Sequence, residues 1–288
     1  MTHAGHVAPA AGPPVTGWLL TALLVLVPAA AYAALVRARG RPWPPLRTAS
    51  TAVGLVLVAL AVSPLLEPAG HHDPHLHMVQ HLLLGMLAPI ALVLGAPGTL
   101  LLGALPVASR GVARAVLRSR ALHVLTHPVT AAVLSVGGLH VLYLTPLHAL
   151  AAADGTVRSL VTLHVLASGV LFAWAVAGPD PAPRRPSVTT RAVVLVLAGG
   201  AHAHLAKLLD AHDLHGLRDA APLMYYGGDL AELLLAAALF ASWYRARPPS
   251  VSGPRRRAHP ARPHPNGPRR NRVLPPPGTA VQVDAGQA

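Results

Sequence analysis

Seven stretches of this 288-residue chain are each apolar enough, over about 20 residues, to cross a bilayer core of roughly 30 Å. They run from Gly17 to Val36, Thr48 to Leu66, Met78 to Leu102, His123 to Leu144, Val157 to Ala177, Ala192 to Leu209 and Pro222 to Tyr244. Backbone in hydrocarbon must satisfy its own hydrogen bonds, and without a barrel-type alternation only helices do so. Charged residues make up 11% of the chain, against roughly 25% in an average soluble domain, too few to cover a water-soluble globule. The expected fold is therefore all-α: a polytopic bundle of about seven transmembrane helices.

Breakers and charges punctuate the stretches, as at Arg39-Gly40-Arg41-Pro42, Glu67-Pro68-Ala69-Gly70, Thr145-Pro146 and Gly178-Pro179-Asp180-Pro181. Three regions follow: a short N-terminal segment over 1–16, a transmembrane domain over 17–245, and an Arg/Pro-rich tail over 246–288 that has too few apolar residues to fold and is expected to be disordered.

The basic residues set an orientation. Arg37, Arg39, Arg41 and Arg47 follow the first stretch, Arg110, Arg114, Arg118 and Arg120 the third, and Arg184, Arg185 and Arg191 the fifth; the tail carries the rest from Arg245 onward. Only Arg158, Lys207 and Arg218 fall elsewhere. Because Lys and Arg of short loops are retained in the cytoplasm, the pattern predicts an outer N-terminus and a cytoplasmic C-terminus. The first stretch has its positive charges after it rather than before it, so it reads as an anchor and not a cleaved signal. The net charge of +13 is then topological, with the lipid bilayer and not nucleic acid as partner. There is no cysteine, which excludes disulfides, thiolate metal sites and Cys nucleophiles.

Histidine is the unusual residue: there are 18, and most fall on the outer side of this topology. His77 and His81 are four apart and share a helix face, the arrangement by which one helix offers two nitrogens to one ion. Met78 lies beside them and Met224 opens the last stretch on the same side. Imidazole with thioether and no thiolate suits copper better than zinc. His140, His164, His202 and His204 lie within apolar stretches, where an ionisable group normally faces a partner or a functional path. His202 and His204 are two apart and point about 200° from one another, so at most one can face a given ion. Gln80, Asp210 and Asp219 are candidates for supporting or gathering roles at the mouth.

The run His77-Met78-Val79-Gln80-His81-Leu82-Leu83-Leu84, continuing through Ala88-Pro89 to Leu94-Gly95-Ala96-Pro97, resembles the signature of the bacterial seven-helix assembly factors of caa(3)-type cytochrome c oxidase. His127-Pro128, His140 with Tyr143, His164 ahead of Phe172 and Trp174, and Asp219, Leu223, Met224 and Gly228 are similar to that family in the same order. The chain departs from it at Ala220 and Ala221, where glutamines are usual, at Tyr225 in place of Trp, and at Leu163 in place of an acid.

The resemblance implies a bacterial plasma-membrane protein, not an enzyme, that serves cytochrome c oxidase subunits by supporting copper delivery. In that reading His77, Met78, His81, His140 and His164 are the metal site, with Gln80, His202, His204, Asp210, Asp219 and Met224 as supporting or entry residues. Two other readings stay open from the residues alone: a haem-binding electron carrier using His140 and His164 as axial ligands, and a metal-ion or proton transporter using intramembrane His with Lys207 and Asp229.

Overall fold

The computed structural model describes residues 15–63, 66, 73–182 and 185–246. The expected tail, nearly all of the N-terminal segment, and Glu67, His71 and His72 lie outside the described residues. The described residues contain helices and no strand. They are α1 (Val15–Ala38), α2 (Pro45–Ala61), α3 (Pro74–Leu94), α4 (Pro97–Ala104), α5 (Arg110–Leu117), α6 (Arg120–Leu125), α7 (Pro128–Leu144), α8 (Leu147–Ala153), α9 (Gly155–Ala177), α10 (Val188–His212) and α11 (Ala221–Ala246).

Five helices are long and apolar enough to cross a membrane: Gly17–Ala38, Pro74–Leu94, Gly155–Ala177, Val188–His212 and Arg218–Arg245. A sixth span is formed if α7 and α8, bent by 78° at Thr145-Pro146, count together; α2, with 17 residues, is the remaining apolar helix. Leu160, Leu163, Val196, Leu197 and Leu233 are exposed around the outside, an apolar belt suited to lipid and not to water. The protein is a multi-pass membrane helical bundle.

Local chemistry fixes the helix starts. Pro45, Pro74, Pro97 and Pro128 stand in the first turns of α2, α3, α4 and α7, where a missing N–H costs nothing. Asp73 and Asp154 cap α3 and α9 by accepting from the N–H groups of His75 and of Thr156 and Val157. The third stretch, expected to run to Leu102, instead breaks after Leu94, where Ala96 takes a left-handed conformation (φ 52°) and α4 begins. The Asp180 carboxylate anchors this new start, accepting from Gly98 N (3.0 Å), Thr99 N (2.6 Å) and Thr99 Oγ1 (2.7 Å). The fourth stretch starts at Pro128 and not at His123, because His127 closes the helix by accepting from Val129 N through Nδ1.

Two helices carry a π segment, Leu83–Leu87 in α3 and Val133–Gly137 in α7. Such one-turn widenings interrupt the regular ladder and are frequent at functional sites. Helices in lipid gain little hydrophobic drive from pairing and rely on close packing, often at small residues. Gly169 of α9 shows this: a Cβ there would stand 2.3 Å from the carbonyl oxygen of Gly85 in the α3 π segment. The core divides into layers. One gathers Met78, Leu139, Leu142, Tyr143, Leu205, Leu209 and Met224; another gathers Ile90, Val93, Phe172, Val176, Leu195, Leu235 and Leu239.

Candidate functional site: a row of imidazoles

His77 and His81 fall one turn apart on α3, and both rings meet Tyr143 of α7 edge-on, at centroid distances of 6.1 and 6.5 Å. Tyr143 is fully enclosed; its hydroxyl lies 3.0 Å from His77 Nε2. On the loop side His77 also meets His148 of α8 (5.5 Å), and His148 meets His215 (4.2 Å). The bend between α7 and α8 turns His148 back over the bundle end. His215 sits in the turn after α10 with φ 60° and donates from Nε2 to the carbonyl of Tyr143 (2.9 Å). On the inner side His81 stacks on His202 of α10, with centroids 5.8 Å apart and ring planes within 19°.

Five imidazoles and one phenol from α3, α7, α8, α10 and the α10–α11 turn thus form a row, in the order His215, His148, His77, Tyr143, His81, His202. It enters a cavity at its inner end. Of the lining residues, His81, Met86, Ser135, Ser168, His202 and Glu232 bring polar or sulfur atoms into otherwise apolar walls. His81 is 7% exposed and His202 3%, and the Nε2 of each has no hydrogen-bond partner. Buried nitrogens are normally satisfied, so these two are poised for a water or a cation. His202 Nδ1 lies 3.9 Å from Glu232 Oε1. Glycines make that approach possible: a Cβ on Gly228 would stand 2.4 Å from His202 Cε1, and one on Gly199 would collide with the Glu232 carboxylate.

The other expected site residues are placed as follows. His140 donates from Nδ1 to Val136 O (2.9 Å), which leaves Nε2 as the nitrogen with a lone pair when the ring is neutral. His164 is on the exposed side of α9 and donates from Nε2 to Leu134 O (3.1 Å), its ring pressed against Gly138. Both receiving carbonyls belong to the α7 π segment, so these two histidines serve backbone groups where the ladder is interrupted. His164 is not among the rings that meet in the row.

Met78 and Met224 are fully enclosed in the apolar layer around Leu139, Leu142 and Leu209, 100° round α3 from His77 in the case of Met78. Gln80 donates to Ala61 O (3.0 Å), holding the end of α2. His204 is exposed, as are Asp210 and Asp219. Lys207 Nζ stands 5.5 Å from the Tyr225 ring centroid. Among the described residues no three His, Asp or Glu side chains stand together at metal-binding distances.

The sequence did not single out Tyr143 as the hub, nor His148, His215 and Glu232 as members. His148 and His215 stood out in the sequence only as members of the outer-side histidine groups, with His140 and with His202, His204 and His212, and Glu232 only as an acid in an apolar stretch.

Fold and site together define a polytopic membrane protein whose helices bring a row of imidazoles together. The family model for the cytochrome c oxidase caa3 assembly factor matches residues 29–246, and the chain belongs to that family. Uncharacterised proteins of Mycobacterium bovis and Mycobacterium tuberculosis are each 37% identical over 164 residues, covering 54% of this chain and 25% of their own. One of Mycobacterium leprae is 33% identical over 175 residues, covering 58% and 27%. The chain therefore spans about a quarter of the length of these curated relatives. No solved structure matches.

Proposed function

We propose that this protein supports assembly of cytochrome c oxidase by binding copper as cargo and passing it toward oxidase subunits, without turnover of a substrate. The row from His215 to His202 is the observation that carries this reading. Successive rings lie 4.2 to 6.5 Å apart, close enough for an ion held by one or two imidazoles to be handed on with small side-chain movements. The donor chemistry suits copper: neutral imidazoles are good ligands for it, and no thiolate competes. His77 and His81 would form the central station. Entry would be from the His148 and His215 end, the side that the arginine pattern predicts to be extracytoplasmic.

His140 would act from α7, its tautomer fixed by the Val136 carbonyl in the way ligating histidines are commonly oriented. Met78 would have to rotate out of its apolar layer to reach an ion beside His77, so it assists at most transiently. His164 would act by holding α9 to α7.

Complementation of a strain lacking the gene tests the proposal. A His77→Ala, His81→Ala variant present in the membrane at wild-type level should leave cytochrome c oxidase without copper and inactive. Normal oxidase in that strain would overturn it.

A further inference from the structure

A cavity of about 370 Å³ opens at the arginine-rich end of the bundle, away from the imidazole row. Arg118, Arg120 and His123 line it from α6 and the turn before it, His127 from the start of α7, and Trp174 and Arg185 from the end of α9 and the loop that follows. No carboxylate is among the lining residues. Asp180, the acid of the same loop, has both oxygens committed to Gly98 and Thr99. Arg185 is fixed against the Trp174 ring and donates to the carbonyls of Gly178 and Asp180 (2.9 Å for the latter). Burial and the neighbouring Arg191 pull its guanidinium pKa below the usual value, a cost that an anion in the cavity would relieve.

Arg118 and Arg120 make no side-chain hydrogen bond or ion pair with the described residues. His127 accepts from Val129 N through Nδ1, which places its proton on Nε2 and makes that nitrogen a further donor. The cavity therefore has a rim dominated by guanidinium and imidazole donors, with the Thr126 hydroxyl beside them, over an apolar floor that includes Leu122 and Trp174.

Its depth points to the ligand. The cavity lies where α7 begins and α9 ends, at the membrane boundary of two spans. The adjoining α5 is two-faced: Arg110, Arg114 and then Arg118 follow one side, while Val112 and Val116, on the other, are 68% and 55% exposed. A short helix with an unpartnered apolar face and a basic opposite face lies in the headgroup layer.

We propose that this cavity seats the phosphate of an anionic phospholipid, bound by Arg118, Arg120 and His127 Nε2, with the start of an acyl chain against Trp174 and Leu122. A rim dominated by donors matches the headgroup, the apolar floor matches the chain, and basic pockets between spans are a known way to hold acidic lipids. The site ties the α5–α6 segment to the α7–α9 end of the bundle and does not depend on the copper reading.

Native mass spectrometry of the full chain in a mild detergent, titrated with phosphatidylglycerol, phosphatidylcholine or inorganic phosphate, tests it. One phosphatidylglycerol per chain should bind at least tenfold more tightly than phosphatidylcholine. Arg118→Gln with Arg120→Gln should lose that preference, while the charge-matched Arg110→Gln with Arg114→Gln should keep it within twofold. Equal binding of phosphatidylcholine, an equal loss in the charge-matched variant, or full displacement of the lipid by inorganic phosphate would each overturn the proposal. Phosphatidylglycerol brominated near the top of its chain gives a readout on the unaltered protein: it should quench tryptophan emission, and Trp174→Phe should remove the most strongly quenched fraction. An unchanged quenching profile in that variant would count against it equally.

Discussion

The rings of His81 and His202, residues more than a hundred positions apart in sequence, stack 5.8 Å apart with each Nε2 buried and without a partner among the described residues. Leaving one buried polar group unsatisfied costs about 1–3 kcal/mol. Two such nitrogens side by side are the most costly unpaired groups on the imidazole row, and the proposed cargo would satisfy them. The tightly excluded Gly228, which gives His202 its room, belongs to the same device.

Tyr143→Phe separates the hub's packing from its hydrogen bond. The ring fills the same space, but His77 Nε2 loses the hydroxyl 3.0 Å away. That hydroxyl competes with any metal for the nitrogen, and a net hydrogen bond is worth about 1 kcal/mol, or roughly fivefold in binding. Copper retention should rise by up to that factor, as read by competition with a chromogenic Cu(I) chelator. A several-fold fall would mean that the hydroxyl is itself part of the binding group.

Asp180→Ala removes a buried carboxylate that serves two backbone N–H groups and one hydroxyl at the start of α4. With those donors unsatisfied the protein should lose about 1–3 kcal/mol of stability, and Asp180→Asn should recover part of it. Thermal unfolding in detergent followed by circular dichroism reads both.

Much of this architecture was legible from residue order. The apolar stretches became helices, and the four-residue spacing of His77 and His81 did place both rings on one face, against Tyr143. What escaped has physical causes. Adjacent residues on a helix point 100° apart, so Met78 went into the apolar layer and not beside its neighbour His77. The break at Ala96 depends on a left-handed residue and on the Asp180 carboxylate, 82 positions from the Gly98 N–H that it accepts from, which no local pattern contains. His215 reaches the row only because its own backbone turns left-handed after α10, and His148 only because α8 folds back by 78°. His164 is held by a carbonyl of the α7 π segment, a partner that spacing alone does not announce.

Gly169→Ala probes the closest approach of α9 to α3. Its new Cβ would meet the Gly85 carbonyl at 2.3 Å, a backbone atom that cannot swing aside. The helices must separate, at a cost of about 1–3 kcal/mol or more. The expected result is a lower unfolding temperature together with weaker copper retention, since His81 lies on the same α3 segment. Gly155→Ala, with open space around the added methyl, should leave both unchanged.

Acid sensitivity is expected at the start of α9. The N–H groups of Val157 and Thr156 hold the Asp154 carboxyl below its ordinary range. A depressed carboxylate stabilises the fold above its unfolded-state pKa, and that contribution disappears as pH falls through the folded-state value. Hydrogen exchange at the first turn of α9 should therefore accelerate on acidification below about pH 4, the usual range for an aspartate. In Asp154→Ala it should already be fast at neutral pH and show little further change. Equal acid response in both proteins would place the sensitivity elsewhere.

Copper content by elemental analysis, on detergent-purified protein loaded with Cu(I), washed, and compared with His77→Ala plus His81→Ala and with His164→Ala, tests the central claim most directly. The wild type and His164→Ala should hold near-stoichiometric copper, and the double variant should lose it. Copper retained without His77 and His81, or absent from the wild type, would contradict a cargo site on the imidazole row.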